Sequence, residues 1–139
     1  ANVGLMEATA EHVKKHGGSN TGIITHRICD YGKASRLPDE LIRVDTLGER
    51  KQMMLDKADV FIALPGGFGT LDEIFTVIAA GHLGYHDKKV VFCNTNGFYN
   101  LLINQIELFY RERFASPHYK NYYQIATNAE ECIRILENF

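Results

Sequence analysis

Residues 59–75 read Asp-Val-Phe-Ile-Ala-Leu-Pro-Gly-Gly-Phe-Gly-Thr-Leu-Asp-Glu-Ile-Phe. The apolar run over residues 60–64 is too short for most helices, and it predicts a strand buried on both faces, as in a parallel sheet. Pro65 ends this strand because it donates no hydrogen bond to a neighbouring strand. The glycines that follow permit a tight turn, and Thr70 is predicted to be the N-cap of the next helix.

The turn between this strand and the helix suits an anion. A helix N-terminus presents unpaired N–H groups and the positive end of the helix dipole, which together favour phosphate. The same residues also fit a purely structural turn, in which Glu73 reaches back to the Thr70 N–H in a capping box. No Gly-Lys-Ser/Thr follows, and the Gly-x-Gly-x-x-Gly spacing is absent, so the stretch is neither a Walker loop nor a dinucleotide fingerprint.

Composition indicates one compact globular domain spanning residues 1–139. The chain has 139 residues, of which 45% are hydrophobic, and a net charge of −2 that gives no electrostatic case for nucleic acid or an anionic membrane. No segment approaches the roughly 20 apolar residues of a membrane-spanning helix. Three widely spaced cysteines, Cys29, Cys93 and Cys132, argue against a disulfide framework or a zinc site and predict a cytoplasmic location.

Strand and helix patterns alternate along the whole chain. Helices are predicted over residues 4–16, 48–57, 71–80 and 98–113 and after Asn128, and strands over residues 21–25, 41–45, 60–64, 89–93 and 122–126. Residues 26–38 are polar and without period, which predicts a loop. This alternation favours an α/β fold, a Rossmann-like doubly wound parallel sheet with helices on both faces. Ligands of such sheets bind at the carboxyl ends of the strands, where residues 66–70 would lie.

Two further groups of residues have both a functional and a structural interpretation. Arg50 and Lys51 form a basic pair on an amphipathic helix, and such pairs are commonly just solvated. Arg50 would instead serve function if its guanidinium pointed towards phosphate or ribose oxygens. His82 and His86 are four residues apart, but Gly84 interrupts the helix between them and no third ligand has suitable spacing, so we expect no metal site.

Residues 65–73 resemble the Pro-Gly-Gly-x-Gly-Thr-x-x-Glu signature of the Lonely Guy (LOG) family. Residues 49–54, Glu-Arg-Lys-Gln-Met-Met, are similar to the second motif of that family, Met-His-x-Arg-Lys-x-x-Met. Further matches are residues 2–6, 82–88 and 96–100, so the resemblance covers essentially the whole chain.

The resemblance implies a phosphoribohydrolase that cleaves the N-glycosidic bond of nucleoside 5′-monophosphates, releasing free base and ribose 5-phosphate. It implies two catalytic residues, Arg50 and Glu73. The implied phosphate- and substrate-binding residues are Gly66, Gly67, Gly69, Thr70, Lys51 and Met6. It further implies that the protein forms a homodimer and that the reaction needs no metal and no organic cofactor. The base, cytokinin or plain adenine, is left open.

The chain departs from the family pattern at several positions. Leu47-Gly48 stands where the second motif has Met-His, and Glu7 stands where a glycine is frequent. The family carries a strand, a helix and a second strand ahead of the first residue, so we expect the given sequence to lack these elements. The alternative function is a non-catalytic nucleotide carrier, similar to molybdenum-cofactor carriers. Proteins of this kind also carry an older label, lysine decarboxylase. That reaction generally uses pyridoxal phosphate bound to a lysine, and the sequence has no convincing motif for such a lysine.

Overall fold

The computed structural model describes residues 2–139. These residues form two compact units, a first that ends at Lys57 and a second from Ala58 to Phe139. That both units belong to a single nucleotide-binding domain remains a prediction.

The first unit is a two-stranded parallel sheet with three helices. Its elements are α1 (Gly4–Lys15), β1 (Thr21–Thr25), α2 (His26–Asp30), β2 (Glu40–Val44) and α3 (Leu47–Lys57). Thr21 pairs with Glu40 and Thr25 with Val44, and α3 packs against both strands. The loop predicted over residues 26–38 is wrong at its start, because α2 continues directly from β1. Five residues are too few to show a helical period in the sequence.

The second unit is a three-stranded parallel sheet in the order β3-β4-β5. Its regular elements are β3 (Val60–Ala63), α4 (Phe68–His82), β4 (Lys89–Cys93), α5 (Asn100–Arg111), β5 (Tyr123–Ala126) and α6 (Ala129–Leu136). Short 3₁₀ turns cover Thr95–Gly97 and Pro117–Tyr122. The predicted cap of α6 is confirmed, since the Asn128 side chain accepts a hydrogen bond of 2.8 Å from the Glu131 N–H.

β4 is a buried strand, as its apolar run predicts, but the prediction that β3 is buried on both faces is wrong. Val90 and Val91 are completely buried, whereas Ile62 of β3 is 40% exposed. The two strands differ in the number of strands that pair with them. β4 has a strand on each side, while β3 pairs with β4 alone among the described strands. An uninterrupted apolar run therefore marks both strands, but only the position in the sheet decides which one forms the core.

The α/β class with parallel strands flanked by helices is confirmed. Every described strand pair is parallel, and helices alternate with strands along the chain. Where the sequence predicts one doubly wound sheet, the described strands form two sheets, of two and three strands. None of the described helices combines the length and hydrophobicity needed to cross a bilayer.

Candidate active site

The glycine turn after β3 enters its helix earlier than predicted. α4 begins at Phe68 with Gly67 as its N-cap, and the Leu71 N–H donates to the Gly67 carbonyl over 3.1 Å. The prediction that Thr70 is the N-cap is therefore wrong, because Thr70 lies inside the first turn. The alternative of a capping box between Thr70 and Glu73 is wrong for the same reason, since that motif needs the glutamate three residues after the N-cap. Glycine itself is an acceptable N-cap, so no side-chain cap is required.

This geometry gives the turn four amides without an intrahelical partner. In an α-helix the first four N–H groups have no acceptor within the helix, and here they belong to residues 67–70. The Phe68 amide is a member of this set that the sequence analysis missed, because its position is the variable one in the signature. Its side chain is 94% exposed and leaves the backbone accessible. An anion at this helix N-terminus would meet the amides of Gly67, Phe68, Gly69 and Thr70.

The three glycines of the turn serve different purposes. A Cβ at Gly66 would overlap the Thr70 hydroxyl and lie 2.9 Å from the Thr70 Cβ, so packing within the turn requires glycine there. A Cβ at Gly67 or Gly69 would meet nothing within 4 Å. Glycine in a helix costs about 1 kcal/mol relative to alanine, so Gly69 carries an energetic cost that contacts within the protein do not explain. A glycine at such a position would permit close approach of a ligand to the backbone.

A buried tyrosine supports the turn from the other side. The Tyr99 hydroxyl donates a hydrogen bond of 2.5 Å to the carbonyl of Leu64, immediately before the turn, and Tyr99 is only 2% exposed. Burial raises the pKa of Tyr99, and the Gly66 amide opposes this in part. The Asn94 side chain fixes the tyrosine backbone by accepting from the Tyr99 N–H over 2.7 Å. The contact joins residues 35 positions apart, and no local pattern pointed to it.

Glu73 lies on α4 one turn after the glycine turn. Its side chain is half-buried, while its neighbour Asp72 is exposed. The second unit therefore brings together five of the predicted site residues on one continuous segment, namely Gly66, Gly67, Gly69, Thr70 and Glu73.

The other three predicted site residues belong to the first unit. Arg50 lies on α3 and its Nε donates a hydrogen bond of 2.8 Å to the carbonyl of Ile23 in β1. Lys51 follows on the same helix and is half-buried. Met6 lies in the first turn of α1, with 53% of its surface exposed. Arg50 is thus oriented by the backbone of a neighbouring strand and does not project freely from its helix.

A capping box fixes the start of the helix that carries Arg50. The Glu49 carboxylate accepts hydrogen bonds from the N–H groups of Asp45 and Thr46, at 2.9 and 3.3 Å. In return, the Glu49 N–H donates to the Thr46 hydroxyl over 3.1 Å. These reciprocal bonds satisfy amides that the helix leaves unpaired. The residue before Arg50 therefore has a structural role in positioning it.

The histidines near the end of α4 do not form the pair considered from the sequence. His82 Nδ1 lies 3.2 Å from His118 Nδ1, and the His82 ring stacks on Tyr119. His86 instead accepts a hydrogen bond of 3.0 Å from the Lys88 N–H through its Nδ1. Across residues 2–139, no group of three histidine, cysteine or acidic side chains is arranged to hold a metal ion.

A family model described as possible lysine decarboxylase matches residues 6–136. The chain belongs to this family, which includes the LOG proteins. The cytokinin riboside 5′-monophosphate phosphoribohydrolase LOG5 of Arabidopsis thaliana is 38% identical to the LOG-family chain over 137 residues, covering 99% of the chain and 60% of the relative. The cytokinin riboside 5′-monophosphate phosphoribohydrolase of Mycobacterium marinum is 41% identical over 98 residues, covering 70% of the chain and 52% of the relative.

A solved structure extends the comparison to the fold. The molybdenum cofactor binding protein of the phototrophic bacterium Rippkaea orientalis matches with a TM-score of 0.65 and 26% identity, over 99% of the LOG-family chain and 72% of that protein. The chain spans about 60% of the length of the first curated relatives that it matches.

Proposed function

We propose that this LOG-family protein is a phosphoribohydrolase, which hydrolyses the N-glycosidic bond of nucleoside 5′-monophosphates to free base and ribose 5-phosphate. The observation that carries the proposal is the glycine turn, whose open sides at Gly67 and Gly69 expose helix N-terminal amides to a phosphate. The names of the relatives support the reaction, because they are cytokinin riboside 5′-monophosphate phosphoribohydrolases.

In this proposal the 5′-phosphate is held by the backbone amides at Gly67, Gly69 and Thr70 and by the Thr70 hydroxyl. Gly66 lets the Thr70 side chain fold over the turn, because no other residue leaves space for it. Lys51 and Met6 complete the proposed substrate-binding set. Lys51 would contribute a positive charge, which complements the substrate phosphate.

Glu73 and Arg50 are the proposed catalytic residues. Cleavage of a glycosidic bond develops positive charge at the anomeric carbon, and a carboxylate beside the ribose stabilises that charge or activates the attacking water. Glu73 follows the phosphate turn by a few residues on the same helix, which suits a group that acts on the sugar of a phosphate-anchored nucleotide. The guanidinium of Arg50 is a planar fork of donors, which suits it to orienting the nucleotide.

The test uses the full-length protein with AMP and with isopentenyladenosine 5′-monophosphate, following free base by chromatography. We expect release of base from at least one nucleotide and a fall in kcat of a hundredfold or more in Glu73→Gln. Glu130→Gln, a change of the same type at an exposed position of α6, is the matched control and should retain activity. Comparing the two nucleotides decides between cytokinin and plain adenine as the base.

A carrier function is the second candidate, favoured by the similarity to the molybdenum cofactor binding protein. A carrier needs the glycine turn but has no need of Glu73 and Arg50 as a reacting pair. Tight binding of nucleotide without release of base, unchanged in Glu73→Gln, would favour the carrier over the enzyme.

The proposal also covers the oligomeric state and the location of the protein. We propose a homodimer, for which the aromatic side chains around α5 offer an apolar surface. We also propose a cytoplasmic location, because Cys29, Cys93 and Cys132 are all free thiols and such thiols suit a reducing compartment.

A further inference from the structure

The first unit contains a cavity of about 590 Å³ that the proposed reaction does not use. It lies where the start of α1, the segment after α2 and the strand β2 meet. Its polar lining includes Glu7 from α1, Ser35 and Arg36 from the segment after α2, and Arg43 from β2. Its volume is within the range of sites that bind small molecules.

The wall of this cavity is held in place by hydrogen bonds. The Asn2 N–H donates to the carbonyl of Lys33 over 3.0 Å, which ties the start of α1 to the segment after α2. Within that segment, the Ser35 hydroxyl accepts from the Leu37 N–H over 3.1 Å. Leu41 and Arg43 are two residues apart on β2, so they face the same side of the sheet and both line the cavity.

Glu7 presents a polar atom that the protein does not satisfy. Its Oε2 is buried and has no hydrogen-bond partner among the described residues. A buried carboxylate oxygen without a donor is unfavourable, and such atoms in native proteins call for an explanation.

The two arginines that line the cavity carry positive charge and can donate hydrogen bonds, whereas the Glu7 carboxylate can accept them. Arg36 and Arg43 are exposed, and no hydrogen bond or ion pair of either guanidinium occurs within the described part of the chain. Two positive charges and one negative charge give the lining a net positive charge. Guanidinium groups bind phosphate and carboxylate through paired hydrogen bonds.

We infer that this cavity binds a small anion whose phosphate or carboxylate is held by Arg36 and Arg43, and whose neighbouring hydroxyl or ammonium donates to Glu7. Both halves of the ligand are needed. An anion without a donor leaves the Glu7 oxygen unsatisfied, and a donor without an anion leaves the arginines unused. The site is separate from the glycine turn in sequence and belongs to the other unit.

The test is calorimetric titration of the full-length protein with four probes. Glycerol 3-phosphate and lactate carry an anion and a hydroxyl, and they distinguish phosphate from carboxylate as the preferred anion. Sulfate, an anion that carries no hydroxyl at neutral pH, and glycerol each carry one half only. We expect saturable binding of glycerol 3-phosphate, of lactate or of both, at least tenfold tighter than that of either half-probe.

Variants assign the binding to this cavity. Arg36→Gln should weaken binding of every anionic probe about tenfold, whereas Arg27→Gln, a matched change at an exposed arginine outside the cavity, should not. Glu7→Gln should weaken binding of glycerol 3-phosphate while leaving that of sulfate unchanged or tighter, because a neutral amide oxygen is a weaker acceptor than a carboxylate and the repelling charge is gone. Circular dichroism checks that each variant is folded.

Three results would overturn the inference. The first is the absence of saturable binding of both bifunctional probes. The second is binding lost in Thr70→Ala but kept in Arg36→Gln, which would assign the ligand to the glycine turn. The third is Glu7→Gln strengthening the binding of glycerol 3-phosphate and of sulfate equally, which would make Glu7 only a repelling charge. None of these results depends on whether the protein hydrolyses nucleotides.

Discussion

Gly66, Gly67 and Gly69 lie within four positions of each other, yet their surroundings differ. Gly66 is required by the Thr70 side chain that folds against it, while Gly67 and Gly69 face open space. A glycine that packing requires and a glycine that ligand access requires look identical in a sequence. Substitution by alanine separates the two roles, because it has opposite effects on stability and on binding.

Gly69→Ala should stabilise the free protein and impair its function. Alanine has a better helix propensity than glycine by up to about 1 kcal/mol, and its methyl group meets no atom of the protein. If the proposed phosphate site is correct, the same methyl group would obstruct the approach of the phosphate to the backbone, so we expect KM for AMP to rise. Chemical denaturation and steady-state kinetics measure the two effects. Lower stability with unchanged KM would contradict the assignment of this glycine to ligand access.

Gly66→Ala should destabilise the protein by about 1–3 kcal/mol, because the new methyl group collides with the Thr70 side chain. Thr70→Ala removes the hydroxyl, which is the nearest colliding atom, and leaves only the Cβ contact at 2.9 Å, so the double variant should be more stable than the sum of the two single changes predicts. A double-mutant cycle in urea measures this coupling. Strict additivity would show that the two residues do not compete for the same space.

His86 should make stability dependent on pH. Burial lowers the pKa of His86 below its ordinary value of 6.5, and the Val77 carbonyl opposes this in part. The folded protein therefore binds the His86 proton less readily than the unfolded chain does. The stabilisation is complete above pH 6.5 and is lost as the pH falls from there through the lower pKa of the folded state.

The measurement is the unfolding midpoint in urea at pH 7.5 and pH 5.5, for the wild type and for His86→Gln. The difference between the two pH values should be smaller in the variant. His16→Gln, at an exposed position after α1, serves as the control for loss of a histidine. An identical pH dependence in His86→Gln and the wild type would exclude His86 as the source.

At the scale of elements, the connection from β3 to α4 depends on the segment that precedes α5. Tyr99 bonds to the carbonyl of Leu64, so the position of the turn is determined by residues well beyond α4. α4 itself begins without a side-chain cap. The backbone of the turn is therefore supported from outside the motif.

Tyr99→Phe should cost about 1–3 kcal/mol of stability, because it leaves the Leu64 carbonyl without its buried donor. We also expect weaker nucleotide binding, seen as a raised KM, since the turn that follows Leu64 loses a support. Tyr85→Phe removes a hydroxyl from a side chain that is 78% exposed and should change neither quantity. Unaltered stability and KM in Tyr99→Phe would show that the turn holds its shape unaided.

At the scale of the whole molecule, the second unit has an apolar cavity of about 270 Å³ lined by aromatic side chains of α4, α5 and the segments that follow α5. Phe114 lines it and is 85% exposed. Exposed aromatic surface of this kind is typical of an interface. If the proposed homodimer uses it, Phe114 is a principal contact.

Phe114→Ser should weaken the dimer tenfold or more, since burying a phenylalanine contributes about 1.5–3 kcal/mol. Size-exclusion chromatography with light scattering over a range of concentrations measures the change. Tyr31→Ser replaces another exposed aromatic residue, in the first unit, and should leave the association unchanged. A wild-type protein that is monomeric at every concentration would refute the homodimer.

Local chemistry was sufficient to predict the α/β class, the parallel strands and most element boundaries. Two examples are the apolar run of residues 89–93 and the capping side chain of Asn128. Both are local features, so they can be recognised from the sequence. The glycine turn between β3 and α4 was likewise recognisable, and its role as an anion site stays a prediction. Its N-cap was misplaced by three residues, because glycine needs no side-chain signal to begin a helix.

Contacts between distant residues were decided by the tertiary structure alone. The order of strands made β4 the buried core and left Ile62 of β3 exposed, although both strands show the same apolar pattern. The bond from Tyr99 to Leu64 and the unpaired oxygen of Glu7 depend on which segments meet in space. Periodicity and capping report the environment of one segment, and they carry no information about the segment that it will pack against.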